Sequence, residues 1–101
     1  MTARRGGNPS KARGSPTTIV VAMAFLVDLE YWAEREPRML LKILRLMIHS
    51  VREPMHGIGK PEPLKHQLRG FWSRRITDEH RLVYRLLGND IEFATARDHY
   101  G

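Results

Sequence analysis

The feature that most constrains this chain is a helical period that lies between two proline-containing breaks. Apolar residues recur with the spacing i, i+3, i+4, i+7, i+8 and i+11, at Leu40, Ile43, Leu44, Met47, Ile48 and Val51. This is the period of an amphipathic α-helix. Pro37 suits the first position of a helix, and Glu53-Pro54 marks its end. The sequence therefore predicts a helix over residues 38–52 with one apolar face.

The opposite face of this helix is basic. It carries Arg38, Lys42, Arg45, His49 and Arg52, spaced four, three, four and three residues apart. An ordinary solvated helix face explains such a stripe when nothing else is known. Because no acid stands among these positions, the stripe also suits the phosphate backbone of an RNA.

The remaining segments predict one further helix and a sheet. β-branched and apolar residues over Thr18–Met23 predict a buried strand, and Phe25, Leu29, Trp32 and Ala33 then share one helical face. Strands are predicted over Leu68–Ile76, Arg81–Leu87 and Ile91–Ala96, with Gly88-Asn89-Asp90 as the hairpin between the last two. The order predicts an α+β fold with two N-terminal helices packed on one face of a twisted, mainly antiparallel sheet.

Length and charge bound the domain organisation. The 101 residues allow one small domain, and the absence of cysteine excludes disulfides and fits a reducing cytoplasm. Residues 1–16 are rich in Gly, Pro and Ser and contain four basic residues and no acid, out of a net charge of +6. We expect a disordered basic arm there and a folded domain over residues 17–101.

The apolar run over residues 19–27 admits a second interpretation. It follows a basic start and contains Ala-x-Ala at residues 22–24, as a secretory signal does. The run is too short to cross a bilayer, so we expect no membrane association. A cytoplasmic protein with a folded strand at this place is the interpretation we prefer.

Residues 57–84 carry the side chains with the clearest chemical potential. Glu62 stands between Pro61 and Pro63, which restrict the backbone around it and hold the carboxylate at a defined place. A solvated loop glutamate is the alternative at this position. Arg81 lies within an apolar strand, where an arginine either pairs with a carboxylate or holds a phosphate.

The chain end adds two more candidates. His99 can donate a proton near neutral pH, and Tyr100 can stack on a base. RNA cleavage without a metal needs a base for the 2′-hydroxyl proton, a cation for the phosphoryl oxygens and an acid for the departing 5′-oxygen. Secondary candidates for phosphate contacts are Lys65, Arg74 and Arg75.

Three segments, Lys60–Lys65, Gly70–Arg75 and Glu79–Tyr84, resemble the YoeB (Txe) toxins of the RelE superfamily, and the likeness extends from about Tyr31 to Tyr100. The resemblance implies that Glu62 is the general base, that Arg81 holds the scissile phosphate, and that His99 and Tyr100 line the cleavage centre. It places the apolar run at residues 19–27 inside the folded domain, against the secretory interpretation.

The resemblance also implies an activity and partners. It implies the toxin of a type II toxin–antitoxin pair, a metal-independent endoribonuclease that cuts mRNA in the ribosomal decoding site and stops translation. The implied partners are a YefM/Axe-like cognate antitoxin, the ribosome with its mRNA, and a second copy of the chain. The basic stripe of the second helix would then contact ribosomal RNA.

Two other functions stay open at this stage. One is a non-catalytic toxin of the same RelE/ParE fold, since some relatives of this fold act on DNA gyrase. The other is a basic RNA-binding module, whose binding would not depend on the four candidate catalytic residues. The histidines and nearby carboxylates show no paired metal-ligand spacing, so we expect no metal or other cofactor.

Overall fold

The computed structural model describes residues 18–98. Its elements are β1 (Ile19–Val21), α1 (Met23–Arg35), α2 (Arg38–Arg52), β2 (Glu62–Pro63), a 3-10 turn (His66–Leu68), β3 (Phe71–Arg75), β4 (Arg81–Leu87) and β5 (Asp90–Thr95). The basic arm predicted over residues 1–16 and the candidates His99 and Tyr100 lie outside the described residues.

The five strands form one sheet in the order β1-β5-β4-β3-β2. Neighbours pair antiparallel except β1, which pairs parallel with β5. Residues 88 and 89 connect β4 to β5, and Gly88 supplies the left-handed backbone that this tight turn needs, at φ 60°. The predicted α+β fold, with two helices on a mainly antiparallel sheet, is confirmed.

The core lies between the helices and one face of the sheet. Helix α1 contributes Phe25 and Trp32, while β4 and β5 contribute Tyr84 and Phe93. The rings of Phe25 and Phe93 are 5.7 Å apart at their centroids, and those of Tyr84 and Phe93 are 6.0 Å apart. These aromatic contacts attach the first helix to the centre of the sheet.

The buried stripe of α2 differs from the predicted one. Ile43, Leu46 and Ser50 are buried, whereas Leu44 and Ile48 are 50% and 42% exposed. Ser50 can be buried because its hydroxyl donates to the carbonyl of Leu46 at 2.7 Å, so its polar atom stays hydrogen-bonded. The helix has more apolar residues than its contact surface covers. Leu40, Ile43, Met47 and Val51 of the predicted stripe are buried in the core or pack against it, so the prediction is wrong for Leu44 and Ile48, and it omitted Leu46 and Ser50.

The strand predictions also needed correction. The predicted buried first strand is an edge strand, and its residues Ile19, Val20 and Val21 are 37–49% exposed because β5 is its only strand neighbour among residues 18–98. Residues 62–63, where no strand is predicted, form the short edge strand β2, and the 3-10 turn delays the start of β3 to Phe71. Within residues 18–98, neither helix has the length and apolar character that crossing a bilayer requires.

Candidate active site

The sheet face turned away from the helices brings three candidate residues together. Cross-strand pairing aligns Glu62 with Ser73 and aligns Ser73 with Val83. Arg75 and Arg81 pair with each other in the next row. Residues paired in register or two apart on a strand project from the same face. Glu62 in β2, Arg75 in β3 and Arg81 in β4 therefore share one surface.

Glu62 is exposed at the start of β2. As an edge strand, β2 accommodates Pro63, which cannot donate to a ladder. The chain enters this strand through Gly59 at φ 82° and Lys60 at φ 52°, both left-handed. A Cβ at Gly59 would lie 2.9 Å from Cδ2 of Leu46, so glycine is needed for this close approach as well as for the backbone angle. The loop therefore positions the Glu62 carboxylate on the sheet face, and its backbone conformation is restricted.

Arg81 begins β4 and is only 8% exposed. Its Nη1 donates to the carbonyls of Thr77 at 2.8 Å and Asp78 at 3.1 Å, which orients the guanidinium. Within residues 18–98, no carboxylate lies at ion-pair distance from Arg81. A fixed guanidinium that has no carboxylate partner in this part of the chain is suited to hold a phosphoryl oxygen.

Arg74 is not on the surface where we predicted a phosphate contact. Its side chain is fully buried on the helix side of the sheet. Its Nη1 donates to the carbonyl of Ile58 at 2.9 Å, and its Nη2 donates to the carbonyls of His56, at 2.8 Å, and Glu53. Side chains alternate between the two faces of β3, so Arg74 points inward when Arg75 points outward. The prediction for Arg74 is wrong, and its role is to bind the loop that follows α2.

Lys65 and Arg75 are both exposed, as a phosphate contact requires. Arg75 lies on the same face as Glu62 and Arg81, and its backbone N–H donates to the carbonyl of Gly59 at 2.6 Å. Lys65 follows β2 and precedes the 3-10 turn. Their contacts with phosphate stay predictions.

The described chain ends beside Arg81. The carbonyl of Asp98 accepts a hydrogen bond from the backbone N–H of Arg81 at 2.9 Å. His99 and Tyr100 follow Asp98 directly in sequence. Asp28 of α1 also contributes here, since its Oδ2 accepts from the backbone N–H of Ala96 at 2.8 Å. Sequence reasoning missed Asp28, because a single acid in a helix gives no signal of a contact 68 residues away.

A groove of about 600 Å³ lies between α2 and the end of β3. Its cationic lining residues are Arg38, Lys42, Arg45 and Arg75, and its apolar ones are Leu41, Leu46, Ile58 and Ile76. Three of the five residues predicted to contact ribosomal RNA therefore share a groove with Arg75, which also belongs to the candidate site. Arg52 is exposed outside this lining, and His49 is half-buried, with its Nδ1 close to Gly57.

Metal ligands are not clustered in residues 18–98. No group of three or more His, Cys, Asp or Glu side chains in this part of the chain is arranged to hold a metal ion. The described candidate site contains one carboxylate, that of Glu62, and the guanidinium groups of Arg75 and Arg81.

The fold defines a structural class of small α+β proteins. YafQ from Escherichia coli and the RelBE2 toxin–antitoxin complex from Mycobacterium tuberculosis share the fold at a TM-score of 0.64, with 19% and 23% identity. The chain covers 91% and 99% of those structures. At this identity, the likeness concerns the fold alone.

The particular family follows from the sequence match. Residues 22–100 match the family described as "YoeB-like toxin of bacterial type II toxin-antitoxin system". The chain belongs to the YoeB-like toxins.

Individual relatives agree with this assignment. Toxin YoeB of Escherichia coli K12 is 52% identical over 73 residues, which are 72% of this chain and 87% of that toxin. Toxin YoeB of Streptomyces coelicolor is 47% identical over 73 residues, which again are 72% of this chain and 87% of that toxin. The structure of the YoeB/ParE toxin from Agrobacterium tumefaciens matches with a TM-score of 0.79 at 43% identity, over 83% of this chain and all of that one.

Structures from Staphylococcus aureus include a YoeB dimer and a YoeB–YefM complex. Each is 39% identical to this chain, with TM-scores of 0.75 and 0.74. The match covers 82% of this chain and 97% of theirs.

Proposed function

We propose that this YoeB-family toxin is a ribosome-dependent mRNA endonuclease that cuts the message in the decoding site without a metal. The observation that carries the proposal is the shared sheet face of Glu62, Arg75 and Arg81, with the chain end bonded to Arg81 through Asp98. This shared face supports a mechanism in which one proton acceptor and two cations act on a phosphodiester.

In this mechanism the 2′-oxygen of the nucleotide before the cut attacks the adjacent phosphorus. Glu62 takes the 2′-hydroxyl proton, and Arg81 stabilises the charge that develops on the non-bridging oxygens. The bond from phosphorus to the 5′-oxygen breaks, and His99 donates a proton to that oxygen. Tyr100 stacks on a neighbouring base. The products are a 2′,3′-cyclic phosphate, which opens to a 3′-phosphate, and a 5′-hydroxyl end.

The ribosome supplies substrate positioning, which is a large part of such catalysis. The groove with Arg38, Lys42 and Arg45 is suited to a ribosomal RNA backbone, because three cations of one helix and Arg75 line it together with a single acid, Asp78. The protein acts in the cytoplasm, where translation takes place.

A YefM-like antitoxin is the proposed inhibitor. The YoeB–YefM complexes from Staphylococcus aureus support this partner, and the YoeB dimer from the same organism supports a homodimer of this chain. By this proposal an acidic antitoxin segment covers the basic surface and the chain end, and so keeps the ribosome out.

The test is single-turnover cleavage on purified ribosomes that carry a defined message in the decoding site. We expect one cut at that site and a 2′,3′-cyclic or 3′-phosphate end. A matched message with a 2′-deoxy nucleotide before the cut should not be cleaved, because its nucleophile is missing. Cleavage of the 2′-deoxy message contradicts the mechanism, and ribosome binding without any cleavage favours the non-catalytic alternative.

A further inference from the structure

Both backbone groups of Asp98 are bound, at the last described position of the chain. Its N–H donates to Nδ1 of His80 at 2.8 Å, and its carbonyl accepts from the N–H of Arg81 at 2.9 Å. Asp98 has a left-handed backbone, with φ 63°, which a non-glycine residue seldom adopts. These two hydrogen bonds, to the consecutive residues His80 and Arg81, therefore hold Asp98 in an otherwise disfavoured backbone conformation.

His80 is itself held from two sides. Its ring meets that of Trp32 edge-on, with centroids 4.9 Å apart and an interplanar angle of 89°. Its backbone N–H donates to Oγ1 of Thr77 at 3.1 Å, and its carbonyl accepts from the N–H of Ile76 at 2.9 Å. The imidazole consequently presents Nδ1 in a fixed direction, and this nitrogen must be the one without a hydrogen in order to accept.

Helix α1 holds the residues immediately before Asp98. Nε1 of Trp32 donates to the carbonyl of Ala96 at 2.8 Å. The guanidinium of Arg97 lies over the ring of Tyr31, 3.7 Å from its centroid. Residues 96–98 follow β5, which ends at Thr95, and so these side chains hold them in place together with the backbone bond between Asp98 and Arg81.

We propose that His80 is a positioning residue that sets, through Asp98, the place from which His99 and Tyr100 start relative to the Arg81 guanidinium. The inference rests on the proposed nuclease function for its catalytic consequence, although the His80–Asp98 bond stands without it. His80 does not contact the substrate in this role. One peptide unit separates Asp98 from His99, and a displacement of about 1 Å can lower a rate roughly 100-fold.

Three full-length variants test the role. His80→Phe keeps an aromatic ring against Trp32 and removes the acceptor, whereas His80→Asn returns an acceptor oxygen at a similar distance from the backbone. His56→Phe is the matched control, since His56 is an exposed loop residue. If His80→Phe does not fold, His80→Ala takes its place in the comparison.

The first measurement is hydrogen exchange of the Asp98 amide by NMR, which needs no activity. We expect exchange about tenfold or more faster in His80→Phe, as for an amide that loses its native hydrogen bond. Wild-type-like protection is expected in His80→Asn and in the control. Unchanged protection in His80→Phe overturns the proposal.

The second measurement is the single-turnover cleavage rate together with ribosome affinity. We expect His80→Phe to lower the rate roughly 10–100-fold at unchanged affinity, with most of the rate recovered by His80→Asn. Loss of protection at a wild-type rate, or an Asn variant that recovers neither protection nor rate, overturns the positioning role. If the wild-type protein cleaves nothing, the proposed nuclease function is wrong, and the exchange result still decides whether His80 holds the chain end.

Discussion

Arg74 and Tyr84 form a buried pair in which Nε of the arginine donates to the phenol oxygen at 3.0 Å. The hydroxyl of Tyr84 in turn donates to the carbonyl of Pro54 at 2.5 Å. These two residues of adjacent strands thereby bind residues 53–58, the loop that continues into Lys60 and Glu62. The buried pair, on the helix side of the sheet, therefore fixes the path of the loop that leads into the candidate site.

Replacement of this arginine should destabilise the domain. Arg74→Met removes the donors for the carbonyls of Glu53, His56 and Ile58, and we expect a loss of about 2–4 kcal/mol, since bonds from charged donors contribute roughly 1.5–3 kcal/mol each and water can replace some of them at the loop. Urea unfolding measures the change. Arg75→Met, at the exposed neighbouring position, is the control and should change stability little. Equal unfolding midpoints for the two variants would contradict the assigned role of Arg74.

The phenol of Tyr84 gives the stability a specific dependence on alkaline pH. Burial raises the pKa of Tyr84 above its ordinary value of 10.0, although Arg74 acts in the opposite direction. A neutral phenol is therefore favoured by folding, so its contribution is complete below about pH 10 and is lost as the pH rises from there toward the folded-state pKa. Tyr84→Phe should lose less stability between pH 9 and about 11 than the wild type. Urea unfolding across this range is the measurement, and parallel profiles would refute the prediction.

The candidate catalytic residues should have separable effects on cleavage. Glu62→Ala and His99→Ala should each lower the single-turnover rate by about 10²–10⁴-fold, as expected for a base and an acid. Arg81→Ala should cost as much or more, because charge stabilisation in the transition state is lost. Tyr100→Phe keeps the stacking ring and should cost less than Tyr100→Ala. Glu79→Ala, at an exposed glutamate, is the control. Wild-type rates for both Glu62→Ala and His99→Ala would exclude this mechanism.

Ribosome binding should depend on the groove more than on basic charge in general. Reversal of Lys42 and Arg45 to glutamate should weaken binding, and each lost phosphate contact should reduce the salt slope by roughly one unit. Arg52→Glu changes the charge of the same helix outside the groove lining and should have a smaller effect. Co-sedimentation with ribosomes across a salt series measures both quantities. If Arg52→Glu weakens ribosome binding as much as the reversal of Lys42 and Arg45 does, then binding depends on the charge of the helix and not on the groove.

The sequence predicted the order of the elements and the helix α2 well, because hydrophobic periodicity and proline breaks are local properties of the sequence. It placed Leu44 and Ile48 in the core, and the structure leaves both half exposed. Apolar period shows which residues can be buried, while the neighbouring element decides which are. In α2, packing against the neighbouring elements buries Leu46 and Ser50, which the apolar period did not indicate.

The candidate site was predictable only in part. Prolines on both sides of Glu62 indicated a fixed carboxylate, and the structure places it on the same face as Arg75 and Arg81. The local sequence does not distinguish Arg74 from Arg75. Which of these side chains is buried depends on the face of the sheet that each one occupies, and this is set by the register of the whole sheet. The contact of His80 with Asp98 joins residues 18 apart and likewise follows from the fold.

The parallel pairing of β1 with β5 has a consequence for the synthesis of this toxin. The first strand of the domain finds its partner in the last, with Ile19 opposite Ile91 and Val21 opposite Phe93. A chain still under translation has not yet delivered β5, and pairing between such distant segments forms late in folding. Residues 96–98 cannot reach α1 until then. A nascent chain therefore has an incomplete sheet, and its residues 96–98 stay unattached to α1, until its last strand has been synthesised.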